Sequence, residues 1–228
     1  MDWRYNTIWT EQLPADEYRV IEFEKNTAVA AQSAKGSYFN VHKFKTKMEG
    51  LEELVGINSA IYLELNFSNI KQFSGISKLG KIKRLELSYC LKLERDNGLS
   101  ELKDDIEWLH INTSKNFIPT KDLFDLHKLK VLCLNSCGPL ESLHFLRAMP
   151  NLLDFRFVDT NIIDGDLTPL LEHPTLVNVG FLDKRHYNLK RKDADSYFSE
   201  KSENAKEYIY KGEFRTFRYK AFSTESHA

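Results

Sequence analysis

Two apolar residues separated by a single residue recur six times along the middle of the chain at a nearly constant spacing. Successive first members lie 22, 24, 23, 23 and 24 residues apart. Apolar residues at every second position have the period of a β-strand, in which neighbouring side chains point to opposite faces. The pattern therefore predicts six short strands with one face turned toward a core. The pairs are Leu63/Leu65, Leu85/Leu87, Leu109/Ile111, Leu132/Leu134, Phe155/Phe157 and Val179/Phe181.

Between the predicted strands, apolar residues return at a helix-like spacing, as in Phe73, Ile76 and Leu79. A spacing of three to four residues places such side chains on one face of a short helix or turn. Pro150 and Pro174 end two of these segments just before a strand, where a helix must stop. Each unit is therefore predicted to be a strand followed by a short helix or turn that packs against the back of the strands.

A small polar residue follows each of the first five apolar pairs, three positions after its second member. These residues are Ser68, Cys90, Ser114, Cys137 and Thr160. A small buried polar side chain can satisfy backbone groups of a buried turn, which would otherwise lack hydrogen bonds. The two cysteines occupy positions that serine and threonine fill in the other units. Their predicted role is therefore structural, and not reactive or metal-binding.

The period, the apolar pairs and the small polar position together resemble the leucine-rich repeat family over roughly residues 40 to 187. The resemblance implies an α/β leucine-rich repeat solenoid, with a parallel sheet on the concave side and short helices or turns on the convex side. It also implies a scaffold that binds another macromolecule, usually a protein, without catalysing a reaction. The fold alone does not identify that partner.

The pattern divides the chain into three regions. Residues 38–187 are predicted to form the repeats, with a degenerate first unit at Val41, which lies 22 residues before Leu63. Residues 1–37 are predicted to be an N-terminal cap, since stacked repeats need their open ends covered. Residues 188–228 are predicted to be a C-terminal extension or cap. Their final part, 207–222, alternates aromatic and polar residues and predicts a hairpin that is either a cap or a partner-binding arm.

Composition narrows the class of partner. The chain has 228 residues, 32 Lys and Arg against 33 Asp and Glu, and a formal net charge of -1. Such a chain has no overall field that attracts nucleic acid or an anionic membrane, so we expect neither as a partner. Its acidic and aromatic first residues differ from a signal peptide, and its three cysteines fit a reducing compartment. We therefore expect a cytoplasmic protein.

Residues that alternate with the inward pairs are predicted to point to the concave face. This strip mixes aromatic residues with charges of both signs, as protein interfaces do. We expect Trp108, flanked by Arg84 and His110, to be its centre. The predicted partner-binding residues are Tyr62, Glu64, Arg84, Glu86, Trp108, His110, Asn135, Asp154 and Arg156.

No recognised metal-ligand spacing or nucleotide-binding motif occurs in the sequence, so no metal and no cofactor are predicted. Cys133 lies between Leu132 and Leu134 and is expected to project, exposed, from the concave face. A thiol there would react only if its pKa were lowered. The cluster from Asp183 to His186 is expected to be a surface charge patch, because contiguous residues of an extended strand do not converge on one atom. An enzyme using Cys133 or this cluster is the least supported alternative.

The closing segment of the repeats is similar to short, cytosolic, bacterial-type leucine-rich repeat proteins, some of which neutralise toxins. This resemblance implies an immunity or antitoxin protein that covers the active site of a cognate protein toxin or blocks its movement. The alternative is an adaptor or substrate-recognition subunit, which would need a second binding surface.

Overall fold

The computed structural model of the chain describes residues 13–14, 16–23 and 35–201. Within this part, eight strands form one sheet and are ordered as they occur in the chain. Every neighbouring pair is parallel. The strands are β1 (Tyr18–Glu22), β2 (Tyr38–His42), β3 (Tyr62–Asn66), β4 (Arg84–Ser88), β5 (Trp108–Ser114), β6 (Val131–Cys137), β7 (Asp154–Arg156) and β8 (Asn178–Gly180).

The predicted repeat spacing corresponds to the register of the sheet. Leu63 pairs with Leu85, which pairs with Leu109, and the row continues through the first member of each later apolar pair. Parallel neighbours need a crossover connection, and each crossover here takes up the rest of one repeat. The predicted α/β class with a parallel sheet is confirmed. The degenerate unit at Val41 forms β2, and β1 within the predicted cap region 1–37 is the edge strand beside it.

Short helices and helical turns connect the strands. Three 3₁₀ turns cover Ile76–Leu79, Leu99–Leu102 and His144–Ala148, and three α-helices are α1 (Lys121–Phe124), α2 (Thr168–Glu172) and α3 (Arg191–Lys201), counting only the described residues. The apolar residues of these connections are buried together with the strand pairs in one continuous core. Burying a leucine stabilises the fold by roughly 1.5–3 kcal/mol, so this shared core is the main source of stability.

The small polar residues that follow the strands are buried, as the sequence predicts. The Thr160 hydroxyl donates to the Leu134 carbonyl at 2.7 Å and accepts from the Cys137 amide at 2.9 Å. The Cys137 thiol donates to the Ile111 carbonyl at 3.5 Å, and the Cys90 thiol makes the same kind of contact with β3. Burial raises the pKa of both thiols to about 12. These cysteines therefore bind backbone groups of the preceding repeat.

The backbone turns sharply near the ends of six strands, in five cases just before one of these buried polar positions and in the sixth just before the buried Phe44. Six residues there adopt a left-handed conformation with φ between 50° and 59°, and none of them is glycine. Non-glycine residues adopt this conformation at a cost of about 1–2 kcal/mol each. The same turn recurs in register because each of the strands β2 to β7 must redirect the chain toward the connection that follows it. The six residues are Lys43, Phe67, Tyr89, Thr113, Ser136 and Asp159.

Helix α3 packs against the last strand. Ala194 and Phe198 of this helix are buried in the common core. Asp183 accepts a 2.7 Å hydrogen bond from the Arg191 amide at the start of the helix, and the Arg191 guanidinium donates to the Val179 carbonyl at 2.8 Å. The hairpin predicted at 207–222 lies outside the described residues.

Candidate functional site on the front face of the sheet

The sheet face opposite the core, called the front face here, carries the predicted binding residues. Parallel pairing in register arranges their side chains in rows that cross the strands. The first row runs Tyr18, Tyr38, Tyr62, Arg84, Trp108, Val131, Asp154 and Asn178. The middle row runs Val20, Asn40, Glu64, Glu86, His110, Cys133, Arg156 and Gly180.

Stacked rings and one guanidinium form the start of the first row. The rings of Tyr38 and Tyr62 stack with centroids 6.2 Å apart. The guanidinium carbon of Arg84 lies 5.5 Å from the Tyr62 centroid and 4.0 Å from the Trp108 centroid. A guanidinium between two aromatic faces is attracted by both rings, and the attraction is stronger where water is excluded. This stack holds Arg84 in one position on the sheet.

A buried ion pair connects the first row with the middle row. Arg84 Nε lies 2.5 Å from Glu86 Oε1, and the two side chains are only 1% and 4% exposed. His110 Nδ1 lies 3.7 Å from the other carboxylate oxygen of Glu86. The position of the Glu86 carboxylate is therefore set by groups on two neighbouring strands.

Glu64 is the neighbour of Glu86 in the middle row. Its carboxylate accepts a 2.9 Å hydrogen bond from Asn66 Nδ2 and lies 3.4 Å from the Tyr62 hydroxyl. Burial and then the negative charge of Glu86 raise the pKa of Glu64 to about 7, since both disfavour a second carboxylate charge. The charge of this part of the front face thus changes close to neutral pH.

Asp154 and Arg156 form a second ion pair on β7. Arg156 Nε donates to Asp154 Oδ1 at 3.1 Å, and its Nη2 contacts the second carboxylate oxygen. Asn178 Nδ2 donates to Asp154 Oδ1 at 3.0 Å from the next strand. Burial raises the pKa of Asp154, although Arg156 opposes this effect. The carboxylate lies beneath the partly exposed guanidinium and orients it.

The structure places all nine predicted binding residues on the front face, but their accessibility differs from the expectation. Trp108, the expected centre, is only 5% exposed and packs with Val131 and Cys133. Neighbouring strands lie about 4.8 Å apart, so long side chains in one row cover each other. The buried residues are Tyr62, Arg84, Glu86, Trp108 and Asp154, whereas Glu64, His110, Asn135 and Arg156 are partly exposed.

Cys133 lies on the front face as predicted, but the expectation of an exposed thiol is wrong. Its side chain is 2% exposed, beneath the neighbouring Trp108 and Val131. Burial raises the pKa of the Cys133 thiol to about 12, so the thiol is protonated near neutral pH. Since the thiolate is the nucleophile, a protonated buried thiol reacts slowly.

The cluster from Asp183 to His186 lies in a loop after β8, and not on an extended strand as the sequence reading assumed. Asp183 accepts from the Arg191 amide at the start of α3. Lys184 donates to Asn161 at 3.0 Å, and His186 contacts a backbone carbonyl at 2.9 Å. These three side chains therefore have separate contacts that connect the loop to the rest of the fold.

Asn112 was not among the predicted binding residues, because the prediction did not consider which residues become neighbours across the strands. It lies two positions after His110 on β5 and is also partly exposed. It pairs in register with Asn135. Asn135 Nδ2 lies 3.3 Å from His110 Nε2, so amide and imidazole groups form a polar patch across two strands. Aligning the six repeats would have identified this patch, because equivalent positions become neighbours in the sheet.

In the described part of the chain, no three His, Cys, Asp or Glu residues are grouped so as to hold a metal ion. None of the helices in that part has the length and apolar character needed to cross a membrane. Comparison with protein-family models gives no match, and a search of curated proteins also gives no significant match.

Proposed function

We propose that this chain is a leucine-rich repeat protein that binds another protein, and that the partner is a protein toxin which it neutralises. The main observation in support of the binding role is the register of the strands. It aligns aromatic, charged and amide groups of six repeats in continuous rows on the front face. A row of this kind presents many different groups at fixed spacing on one rigid element. Such a surface suits recognition of an extended protein surface.

The partly exposed residues Glu64, His110, Asn135 and Arg156 are the proposed contact points. They supply a carboxylate, an imidazole, an amide and a guanidinium, which can donate and accept hydrogen bonds with a polar protein surface. Their neighbours are buried, so the contact groups are held before the partner arrives. Holding groups in place beforehand reduces the entropy lost on binding.

The buried residues of the front face have a supporting role in this proposal. Arg84 and Glu86 fix the middle row through their ion pair, and Asp154 fixes Arg156. Replacing a buried member would therefore act on stability first and on binding second. This division revises the expectation from sequence that Trp108 is itself the centre of the interface.

The immunity role adds a specific mechanism. A rigid protein surface that covers the active site of a toxin, or prevents a movement that the toxin needs, inhibits it without any chemical step. The resemblance of the closing segment of the repeats to short leucine-rich repeat proteins, some of which neutralise toxins, supports this proposal. The polar character of the accessible front face fits a partner that must also be soluble before it is bound.

Affinity capture with the full chain, followed by co-expression, tests the proposal. We expect one stoichiometric protein to be retained, to be toxic when expressed alone, and to lose its toxicity when this chain is co-expressed. The double variant His110→Ala/Asn135→Ala should weaken the purified complex by at least about tenfold. The matched control is Val55→Ala, which removes an exposed side chain outside the front face.

A retained protein that is harmless alone would reject the immunity role but keep the binding role. Equal affinity of wild type and His110→Ala/Asn135→Ala for the captured protein would reject the front face as the contact surface. Retention of no stoichiometric protein would reject the binding proposal.

A further inference from the structure

A second surface lies at the C-terminal ends of strands β3 and β4. Phe67, Tyr89 and Leu91 are 48%, 47% and 57% exposed, and we call these three residues the aromatic ledge. The rings of Phe67 and Tyr89 stack nearly parallel, with centroids 5.0 Å apart and an interplanar angle of 6°. Two stacked aromatic rings beside an exposed leucine form an apolar patch that adjoins the last positions of the front face.

The fold requires the backbone turn at these strand ends but not the aromatic side chains. Phe67 and Tyr89 both have positive φ, a conformation in which bulky residues are rare and asparagine, aspartate or glycine is more readily accommodated. At the equivalent positions of later repeats the chain has Thr113, Ser136 and Asp159. The aromatic identity of these two residues is thus left unexplained by the turn itself.

The chain segments that form the ledge and its surroundings are rich in lysine. The four segments 43–47, 67–71, 89–93 and 113–117 contain six lysines and no acidic residue, although the whole chain has a net charge of -1. Lys43 pairs with Glu22, and Lys71 lies 3.7 Å from Glu49. Of these six lysines, Lys45, Lys47, Lys92 and Lys115 make no ion pair with another described residue, and Lys45 Nζ donates a 2.7 Å hydrogen bond to the Phe67 carbonyl.

We propose that the aromatic ledge binds an acidic, apolar segment on the surface of the partner protein. An apolar side chain of that segment packs on the Phe67 and Tyr89 rings and on Leu91, while its flanking carboxylates face Lys45 and Lys115. Apolar anchors surrounded by complementary charge are the usual arrangement at protein interfaces. The inference rests on the proposed protein-binding function and adds a second contact surface and the charge of the partner.

The ring geometry excludes a nucleic-acid base inserted between Phe67 and Tyr89. Stacked bases are about 3.4 Å apart, so a base inserted between two rings needs a separation of about 6.8 Å. The Phe67 and Tyr89 centroids are only 5.0 Å apart, and the rings already cover each other. The chain as a whole also has no net positive charge that would attract a polyanion.

The test uses the full chain and the partner that it captures, purified. Affinity is measured for wild type, for Phe67→Asn/Tyr89→Asn and for Lys45→Ala/Lys92→Ala/Lys115→Ala, with Val55→Ala as the matched control. Asparagine suits the positive φ, so the melting temperature of the ring variant should stay within a few degrees of wild type. We expect at least about tenfold weaker binding for the ring variant. The lysine variant should bind more slowly and with a weaker dependence on salt.

One further measurement helps to separate the possible results. A labelled single-stranded oligothymidylate, added to wild type and to the ring variant, probes for nucleic acid. Binding of this probe that the ring variant loses would overturn the assignment to a protein segment. A ring variant and a lysine variant that both bind the partner like Val55→Ala would overturn the ledge while leaving the front-face proposal intact. Capture of no stoichiometric partner would instead reject the protein-binding function, and the ledge inference with it.

Discussion

The Arg84 guanidinium carbon lies 4.0 Å from the ring centroid of Trp108, its register partner on the next strand. The same guanidinium lies 5.5 Å from the Tyr62 ring on its other side and contacts Glu86 through Nε. One side chain thus connects three strands and balances a buried carboxylate. The Arg84–Trp108 pair lies at the centre of the front face, and we expect its disruption to lower the stability of the fold before it affects binding.

Replacing Arg84 should therefore unfold the protein more readily. Arg84→Met keeps much of the side-chain volume but leaves the Glu86 carboxylate buried without this guanidinium. We expect the free energy of unfolding, measured by urea titration, to fall by about 3–5 kcal/mol. Arg84→Met/Glu86→Gln should lose less than Arg84→Met alone, because the buried charge has also been removed. A double variant at least as unstable as the single variant would contradict the proposed pairing.

Glu64 should make stability depend on pH near neutrality. Its folded pKa of about 7 lies above the ordinary glutamate value of 4.5, so folding favours the protonated form. The resulting stabilisation is fully present below about pH 4.5 and is lost as the pH rises through about 7. Its size is on the order of 3 kcal/mol. Glu64→Gln should remove this part of the pH dependence, measured by urea titration between about pH 5 and pH 8. Parallel pH curves for wild type and Glu64→Gln would rule out the raised pKa.

Thr160 should be sensitive to loss of its hydroxyl group but not to loss of its methyl group. Thr160→Val keeps the shape and removes the acceptor for the Cys137 amide and the donor to the Leu134 carbonyl. Leaving buried backbone groups without a partner costs about 1–3 kcal/mol. Thr160→Ser keeps the hydroxyl and should retain more of the stability in thermal unfolding. Equal melting temperatures for Thr160→Val and wild type would show that this hydrogen-bond ladder does not stabilise the fold.

The three cysteines should react slowly with thiol reagents in the folded protein. Cys90, Cys133 and Cys137 are buried, and burial raises the pKa of each thiol to about 12. In a titration with a coloured disulfide reagent at neutral pH, we expect little release before denaturant is added and three equivalents afterwards. Rapid release of one equivalent that Cys133→Ser abolishes would revive the hypothesis of a reactive thiol on the front face.

Much of the fold could be predicted from the sequence because its signals are local and repeated. The spacing of the apolar pairs predicted six strands and their inward faces, and the small residues after them predicted a buried ladder that includes Thr160. Edge strand β1 was less evident, since only its Ile21 is buried and it lacks the pair of inward apolar residues that marks the repeats. Burial of the inward residues follows from periodicity alone, because alternate positions on a strand must share a face.

Accessibility of the candidate site could not be predicted in the same way. Alternation places Glu64, Trp108 and Cys133 on the front face, and all three lie there. Only the packed structure shows that Trp108 and Cys133 are covered by neighbours while Glu64 stays partly exposed. Trp108 lies more than 20 residues from Val131 and Cys133 in the chain, so no local pattern contains this contact.

The sequence by itself determined the repeat length and the inward residues, since both follow from the spacing of apolar positions, whereas the parallel α/β architecture was an expectation from the resemblance to leucine-rich repeats. Tertiary structure decided which side chains meet across units: Arg84 between Tyr62 and Trp108, Glu64 beside Glu86, and Phe67 stacked on Tyr89. The physical reason is that hydrophobic periodicity acts along the chain, whereas burial, raised pKa values and ring stacking depend on distances between repeats, which exist only after the strands have paired.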